Sequence, residues 1–102
     1  MDETVVTIFR SRLKPGIDEE YGELADEISA LAREQPGYVD HKTFVAEDGE
    51  RVTIATFADE ASQRAWREHP RHREAQRLGR ERFYETYSLQ VAAVIRTYPR
   101  PE

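Results

Sequence analysis

Apolar and polar positions alternate with a period of two from Thr4 to Leu13. Val5, Thr7, Phe9, Ser11 and Leu13 fall on one face of an extended chain, and Val6, Ile8, Arg10 and Arg12 on the other. Both sets begin apolar, so this segment (residues 4–13) is expected to be a strand covered on both sides. Lys14-Pro15-Gly16 breaks it. From Asp18 the period becomes helical, with Tyr21, Leu24, Ala25, Ile28, Leu31 and Ala32 at i, i+3, i+4, i+7 spacing. Asp18 is the expected N-cap, its acidic first turn suits the helix dipole, and Pro36-Gly37 is the expected stop.

Residues 38–46 (YVDHKTFVA) and 51–57 (RVTIATF) are expected to be the second and third strands. Glu47-Asp48-Gly49-Glu50 between them carries the Asp-Gly signal of a tight hairpin. Asp59 should cap a second helix whose narrow apolar face is Ala61, Ala65 and Trp66. Pro70 ends that helix or opens the next. Ala75, Leu78, Gly79, Arg82 and Phe83 keep helical spacing, with Gly79 weakening the far end by about 1 kcal/mol relative to alanine. A last strand is expected over residues 85–98, with Leu89, Val91, Ala93 and Ile95 on one face, before the tail Pro99-Arg100-Pro101-Glu102. The order β-α-β-β-α-β is the split, ferredoxin-like α+β arrangement, a four-stranded antiparallel sheet with helices on one face. Something else must cover the other face.

Length sets one expected domain over residues 1–102, with its core at about 4–98, because 102 residues suffice for one core and not for two. No apolar run approaches the roughly 20 residues of a membrane span, and MDETVV lacks the features of a signal peptide. With no cysteine there is no disulfide and no thiolate nucleophile, and a cytoplasmic location is the default expectation. A net charge of −5 without a lysine-rich arm argues against nucleic acid as partner. That charge is uneven. Arg64–Arg82 holds seven arginines against three glutamates, a local +4 that leaves −9 for the rest of the chain. Such a strip is usually a solvated helix face with i,i+4 pairs, here Arg64/Glu68 and Arg77/Glu81, though it also suits an anionic small molecule.

The candidate chemistry gathers in the same stretch. His69-x-x-His72 has zinc-like spacing, but Pro70 interrupts the helix between the two and a third ligand is not evident, so no metal is expected. Nucleophile-elbow, dinucleotide and phosphate-loop motifs are absent from the sequence. His41, on the second strand without an acidic or histidine partner nearby in sequence, is expected to be structural or surface. Trp66 serves either as a helix–sheet filler or as a wall that stacks a planar ligand.

LKPG after the first strand, QPGY opening the second, TFADEASQRAWREHPRHREAQ from strand three into the helices, and a closing V-x-x-V-x-R strand resemble the antibiotic biosynthesis monooxygenase superfamily over about residues 4–98. The resemblance implies a homodimer whose sheets pack face to face as a dimeric α+β barrel, with a pocket in each subunit between sheet and helices. It implies a monooxygenase that uses O₂ and no cofactor on a small planar aromatic or phenolic substrate. The alternatives are a non-catalytic small-molecule-binding dimer and a divergent haem-binding or haem-degrading relative. The haem-degrading branch matches at Trp66, but its asparagine position falls on Phe9 and its histidine position on Gln76, a far weaker iron ligand. The polyketide-oxygenase positions fall on Thr53, Phe57 and Gln63. Oxygenation without a cofactor needs a base, and His72 is the expected one, with Gln76 orienting the substrate carbonyl. Phe9, Thr53, Phe57, Trp66, His69 and Phe83 are the expected substrate-binding residues, His69 also being suited to capping. The strand positions expected to face the helices (Val5, Thr7, Phe9, Thr53, Ala55, Phe57) do not titrate, so acid–base work is expected from Trp66 to Gln76 alone.

Overall fold

In the computed structural model, which describes residues 4–99, the period-two segments pair into a single antiparallel sheet. The chain runs β1 (Val5–Leu13), α1 (Asp18–Arg33), β2 (Tyr38–Val45), β3 (Arg51–Phe57), α2 (Glu60–Arg67), α3 (Pro70–Leu78) and β4 (Tyr84–Ala93). A π-helical turn, Gly79–Phe83, joins α3 to β4. The strand order β2-β3-β1-β4 puts the two-sided apolar β1 in the interior of the sheet, as its composition requires. Phe9 pairs with Thr53 and with Leu89, and Thr7 with Ala55 and with Val91, so one continuous face crosses three strands. His41 joins that face opposite Ala55. No helix among the described residues is long and apolar enough to cross a membrane.

Two element ends depart from the sequence expectation. Asp18 is not the cap of α1: Ile17 occupies that position without a side-chain bond, and its carbonyl accepts from the Tyr21 amide at 2.9 Å. The Pro15-Gly16 turn delivers the chain to the helix one residue early, so Asp18 serves only the dipole, with Glu19 and Glu20. β4 stops at Ala93 rather than 98 because its partner runs out. Ala93 pairs with Val5, the first residue of β1, and the last bond is Val94 N–H to the Thr4 carbonyl at 2.9 Å. Beyond it Ile95 and Tyr98 are exposed. Arg100, Pro101 and Glu102 of the expected tail lie outside the described residues.

The packed core is split in two. Near the end of α1, Ala32, Phe57 and Trp66 are buried against Ile28, Leu31, Tyr38 and Ala55. Near its start, Phe83 is buried edge-on to Tyr21 with ring centroids 5.6 Å apart. Tyr21 and Ala32 are eleven residues apart, so about 16 Å of helix spans the interval. Two long-range ion pairs hold α1 over that span. The Arg71 guanidinium donates to both Glu27 oxygens, at 2.5 and 2.7 Å, and Arg82 meets Glu20 at 2.8 Å.

Asp59 does cap α2, its Oδ1 accepting from the Ser62 amide at 2.8 Å and from the Ser62 hydroxyl at 2.8 Å. Pro70 opens α3 at its first turn. Gly79 does more than weaken a helix end. A Cβ there would stand 2.2 Å from the Tyr84 ring, so the missing side chain is what lets that ring pack onto the π-helical turn.

Candidate functional site

Between the two halves of the core, the helices and the sheet line an open cavity of about 840 Å³, within the range of small-molecule sites. Phe9, Thr53 and Phe57 contribute to its floor, and Trp66, His72 and Gln76 to its helical wall. Six of the eight expected site residues therefore share one space. His69 and Phe83 do not line it. Phe83 belongs to the aromatic packing around Tyr21, and His69 Nδ1 accepts from the Arg71 amide at 3.2 Å as the N-cap of α3. His69→Ala is expected to lower stability by about 1 kcal/mol, the usual loss on removing an N-cap, with substrate affinity unchanged. Chemical denaturation and a binding titration on the same variant check both halves of that statement.

The contact that shapes the helical wall is a stack. The rings of Trp66 and His72 lie 4.2 Å apart and 16° from parallel. In an unbroken helix, residues six apart sit about 120° round the axis and 9 Å along it, so they cannot meet. The break at His69-Pro70 folds α3 back and brings them together. His72 Nδ1 lies 3.1 Å from the Trp66 carbonyl oxygen. A carbonyl only accepts, so Nδ1 carries the proton, and the neutral ring keeps its lone pair on Nε2. Burial pushes the His72 pKa below the usual histidine value and the nearby His69 adds to the effect, while the bond to the Trp66 carbonyl opposes it. The result is a positioned imidazole that is neutral at pH 7.

Gln76 donates through Nε2 to the Arg67 carbonyl at a long 3.4 Å. Gln63, the residue at the polyketide-oxygenase tyrosine position, is 5% exposed, lines the cavity, and makes no side-chain hydrogen bond among the described residues. Its amide is free to meet a ligand.

The expectation that only Trp66–Gln76 could supply acid–base groups does not hold. His41, Arg51, Tyr84 and Tyr87 also line the cavity. His41 is neither surface nor isolated: Nδ1 is 2.8 Å from the Tyr38 hydroxyl and Nε2 is 3.1 Å from the Ser29 hydroxyl, and all three residues face the cavity. Burial, then the charge of Arg33, lowers its pKa against the opposing charge of Asp40. With both nitrogens engaged, His41 positions Tyr38 and Ser29 and has no free lone pair to offer. Strand alternation back from Thr43, with register carried over from Thr53, was the signal that places it. At the other end Tyr84 packs 5.2 Å from Phe9 and 6.0 Å from Tyr21. Burial first, then Tyr21, raises its pKa, so the phenol stays protonated and is a neutral hydrogen-bonding group rather than a base. Tyr87 continues the Leu89, Val91, Ala93 face backward by two and was legible on that ground.

The family model for antibiotic biosynthesis monooxygenases matches residues 4–78. YqjZ of Bacillus subtilis (strain 168), an uncharacterised protein, is 34% identical over 86 residues, which are 84% of this chain and 75% of YqjZ. Among solved structures, SnoaB, a cofactor-independent oxygenase from Streptomyces nogalater, superposes with a TM-score of 0.79 at 21% identity over 95% of this chain and 98% of that one. Rv0793 from Mycobacterium tuberculosis superposes with a TM-score of 0.82 at 18% identity over 93% and 98%. At these identities the structural likeness speaks for the fold, a ferredoxin-like α+β sheet with helices on one face.

Proposed function

We propose, from the premise that this chain belongs to the antibiotic biosynthesis monooxygenase family, that it is a cofactor-independent monooxygenase of a small planar aromatic or phenolic substrate. The observation that carries the reading is His72: a neutral imidazole with Nδ1 tied to a backbone carbonyl, stacked on Trp66, on the wall of an aromatic-lined cavity. The name of SnoaB, a cofactor-independent oxygenase of the same fold, supports it.

The chemistry suits a substrate whose CH₂ lies next to an aromatic ketone, where the anion formed on proton loss is an enolate. His72 Nε2 takes the proton. The enolate gives one electron to O₂, and the radical and superoxide combine into a C–O bond. The imidazolium returns its proton to the peroxide, and loss of water turns CH₂ into C=O. One oxygen atom of O₂ ends in the ketone and the other in water, so no external reductant is consumed. Gln63 and Gln76 are the donors for the enolate oxygen, and Trp66 with Phe9 and Phe57 holds the ring system flat.

Purified protein, an anthrone and air test this with an oxygen electrode and absorbance of the anthraquinone product. Stoichiometric O₂ uptake without added flavin, metal or haem is the expected result. Tight anthrone binding with no turnover above the uncatalysed rate would make the chain a ligand-binding module instead.

The second face of the sheet belongs to the same reading. Val6, Ile8, Val52, Ile54 and Phe44 lie on the side away from the helices, with Ile54 39% and Phe44 49% exposed. A homodimer through this face, burying about 2,000 Å² or more in total, is the proposed cover. Light scattering at micromolar concentration is expected to return the mass of two chains, and the mass of one chain would remove the proposal.

A further inference from the structure

In the arginine strip, Arg64 turns back to Glu60 at 2.9 Å instead of pairing with Glu68, while Arg77 meets Glu81 at 3.0 Å as expected. These pairs belong to an exposed helix face. The polar groups still without a task lie on the wall of the cavity that α1 and β2 supply. Ser29 on α1 and Tyr38 and His41 on β2 form one hydrogen-bonded chain with the imidazole in the middle.

An ordinary strand would not build this chain. Residues three apart point to opposite faces, so Tyr38 and His41 should part company. The register slips between Tyr38 and Asp40, which sets Tyr38 opposite Phe57 and His41 opposite Ala55. Phe57 and Ala55 are two apart on β3, so both partners come to the cavity face. Bulges that re-aim a side chain in this way gather next to active sites.

The direction of the chain follows from its two lengths. Tyr38 Oη lies 2.8 Å from His41 Nδ1, and His41 Nε2 lies 3.1 Å from Ser29 Oγ. The shorter distance suits a hydroxyl donor and the longer one an N–H donor. A phenol is also the stronger acid of the two hydroxyls, so Tyr38 donates to Nδ1 and Nε2–H donates to Ser29. Burial, helped by Arg33, keeps His41 neutral, as accepting from Tyr38 requires. The Ser29 proton is left over, with no acceptor among the described residues. Each bond in such a chain strengthens the next, so this hydroxyl is a better donor than an isolated serine.

We propose that Ser29 is a third donor to the enolate oxygen, beside Gln63 and Gln76, with His41 and Tyr38 as positioning residues that aim and polarise its hydroxyl. The proposal rests on the oxygenase reading for the base and the ketone, and adds a polar group from α1. As His72 Nε2 takes the proton from CH₂, the C–H electron pair becomes the C=C bond and the carbonyl pair moves onto oxygen. The Ser29 hydroxyl meets that charge and keeps its own proton. A donor set in place before the charge develops needs no reorganisation. The step consumes no O₂, so the cavity should exchange the acidic hydrogens of a ketone with solvent under argon.

Anthrone in D₂O under argon tests this through deuterium gain at its CH₂, with O₂ uptake in air measured beside it. Ser29→Ala is expected to slow exchange roughly 10²-fold with little change in KM. Tyr38→Phe should cost less, because the Ser29 hydroxyl stays. Bound 1-naphthol reads the donor without any C–H step. Its naphtholate should form about one pH unit lower in wild type than in Ser29→Ala or His41→Leu, at nearly equal affinity for the neutral form. His41→Gln, whose amide can accept from Tyr38 and donate to Ser29, should recover part of that shift. Exchange and naphthol ionisation unchanged in Ser29→Ala overturn the donor, while O₂ uptake still upholds the oxygenase. A larger loss in Tyr38→Phe than in Ser29→Ala reverses the chain and overturns it too. Exchange that depends on Ser29, without O₂ uptake in air, upholds the donor and overturns the oxygenase. A wild type that neither exchanges deuterium nor shifts naphthol overturns the donor outright.

Discussion

Replacing His72 with asparagine is expected to lower turnover of a bound substrate by roughly 10²–10⁴-fold, the usual cost of losing a general base, with little change in affinity. Asparagine is the informative choice. Its amide can still donate to the Trp66 carbonyl that now receives the Nδ1 proton, so the wall keeps its shape. What it lacks is a titrating lone pair. Its flat amide also keeps a planar group against Trp66, whereas alanine leaves that face bare, and a loss of activity would then mix chemistry with packing. The pH profile adds a second readout. Burial lowers the His72 pKa, so the proposed base stays neutral down to and somewhat below the ordinary histidine value of about 6.5. Activity should be level above that value and fall on further acidification as the imidazolium forms. Single-turnover rates across pH, for wild type and His72→Asn beside Thr53→Val, decide the matter. Wild-type rates in His72→Asn together with a dead Thr53→Val would move the chemistry to the strand wall.

The largest effect on stability is expected at Gly37. Its φ of +81° is a left-handed conformation, which costs a side chain roughly 1–2 kcal/mol. Space is the second obstacle. An added Cβ would stand 2.3 Å from the Ser62 hydroxyl and 2.4 Å from Ser62 Cβ. Ser62 cannot swing away without cost, because its amide and hydroxyl form the Asp59 cap, and the Gly37 carbonyl itself accepts from Ala58 N–H at 2.7 Å. Overpacking of this kind adds about 1–3 kcal/mol. Gly37→Ala should therefore cost about 2–5 kcal/mol, a large share of the 5–15 kcal/mol that holds a typical domain. Gly16 supplies the control, since it has the same φ of +81° with no atom within 4 Å of a built Cβ. Gly16→Ala should show the backbone cost alone. Equal denaturation midpoints for the two variants would mean that Ser62 yields freely and that the packing argument fails.

The strands and helices were legible because each is coded locally. β1 alternates, α1 repeats at helical spacing, and Asp59 and Pro70 mark the helix starts where the structure has them. Phe9, Thr53 and Phe57 fell on the cavity face for the same reason, since one alternation and one register carry all three. What sequence could not show depends on distance along the chain. Arg71 has a local partner in Glu74, three residues on, but the Glu27 it also holds and the Glu20 that Arg82 meets lie 44 and 62 residues away, so spacing does not reveal the two pairs that hold α1. The Trp66–His72 stack arises from how sharply the chain turns at Pro70, and composition does not encode that angle. His41 takes the structural side of its expectation, but its partners were sought among acids and histidines, and the fold supplied two hydroxyls instead.

The stack on Trp66 also has an optical meaning. Trp66 is the only tryptophan in the chain, so the indole emission of this protein, excited beyond the tyrosine band, comes from one ring whose face is covered by His72. An imidazolium takes an electron from an excited indole far more readily than a neutral imidazole does. Emission should therefore dim as His72 gains its proton and recover as the proton leaves. The His69→Ala variant removes the second imidazole, 5.6 Å away, from the signal. The ionisation of the proposed base can then be followed by light in the resting protein, with neither substrate nor label present.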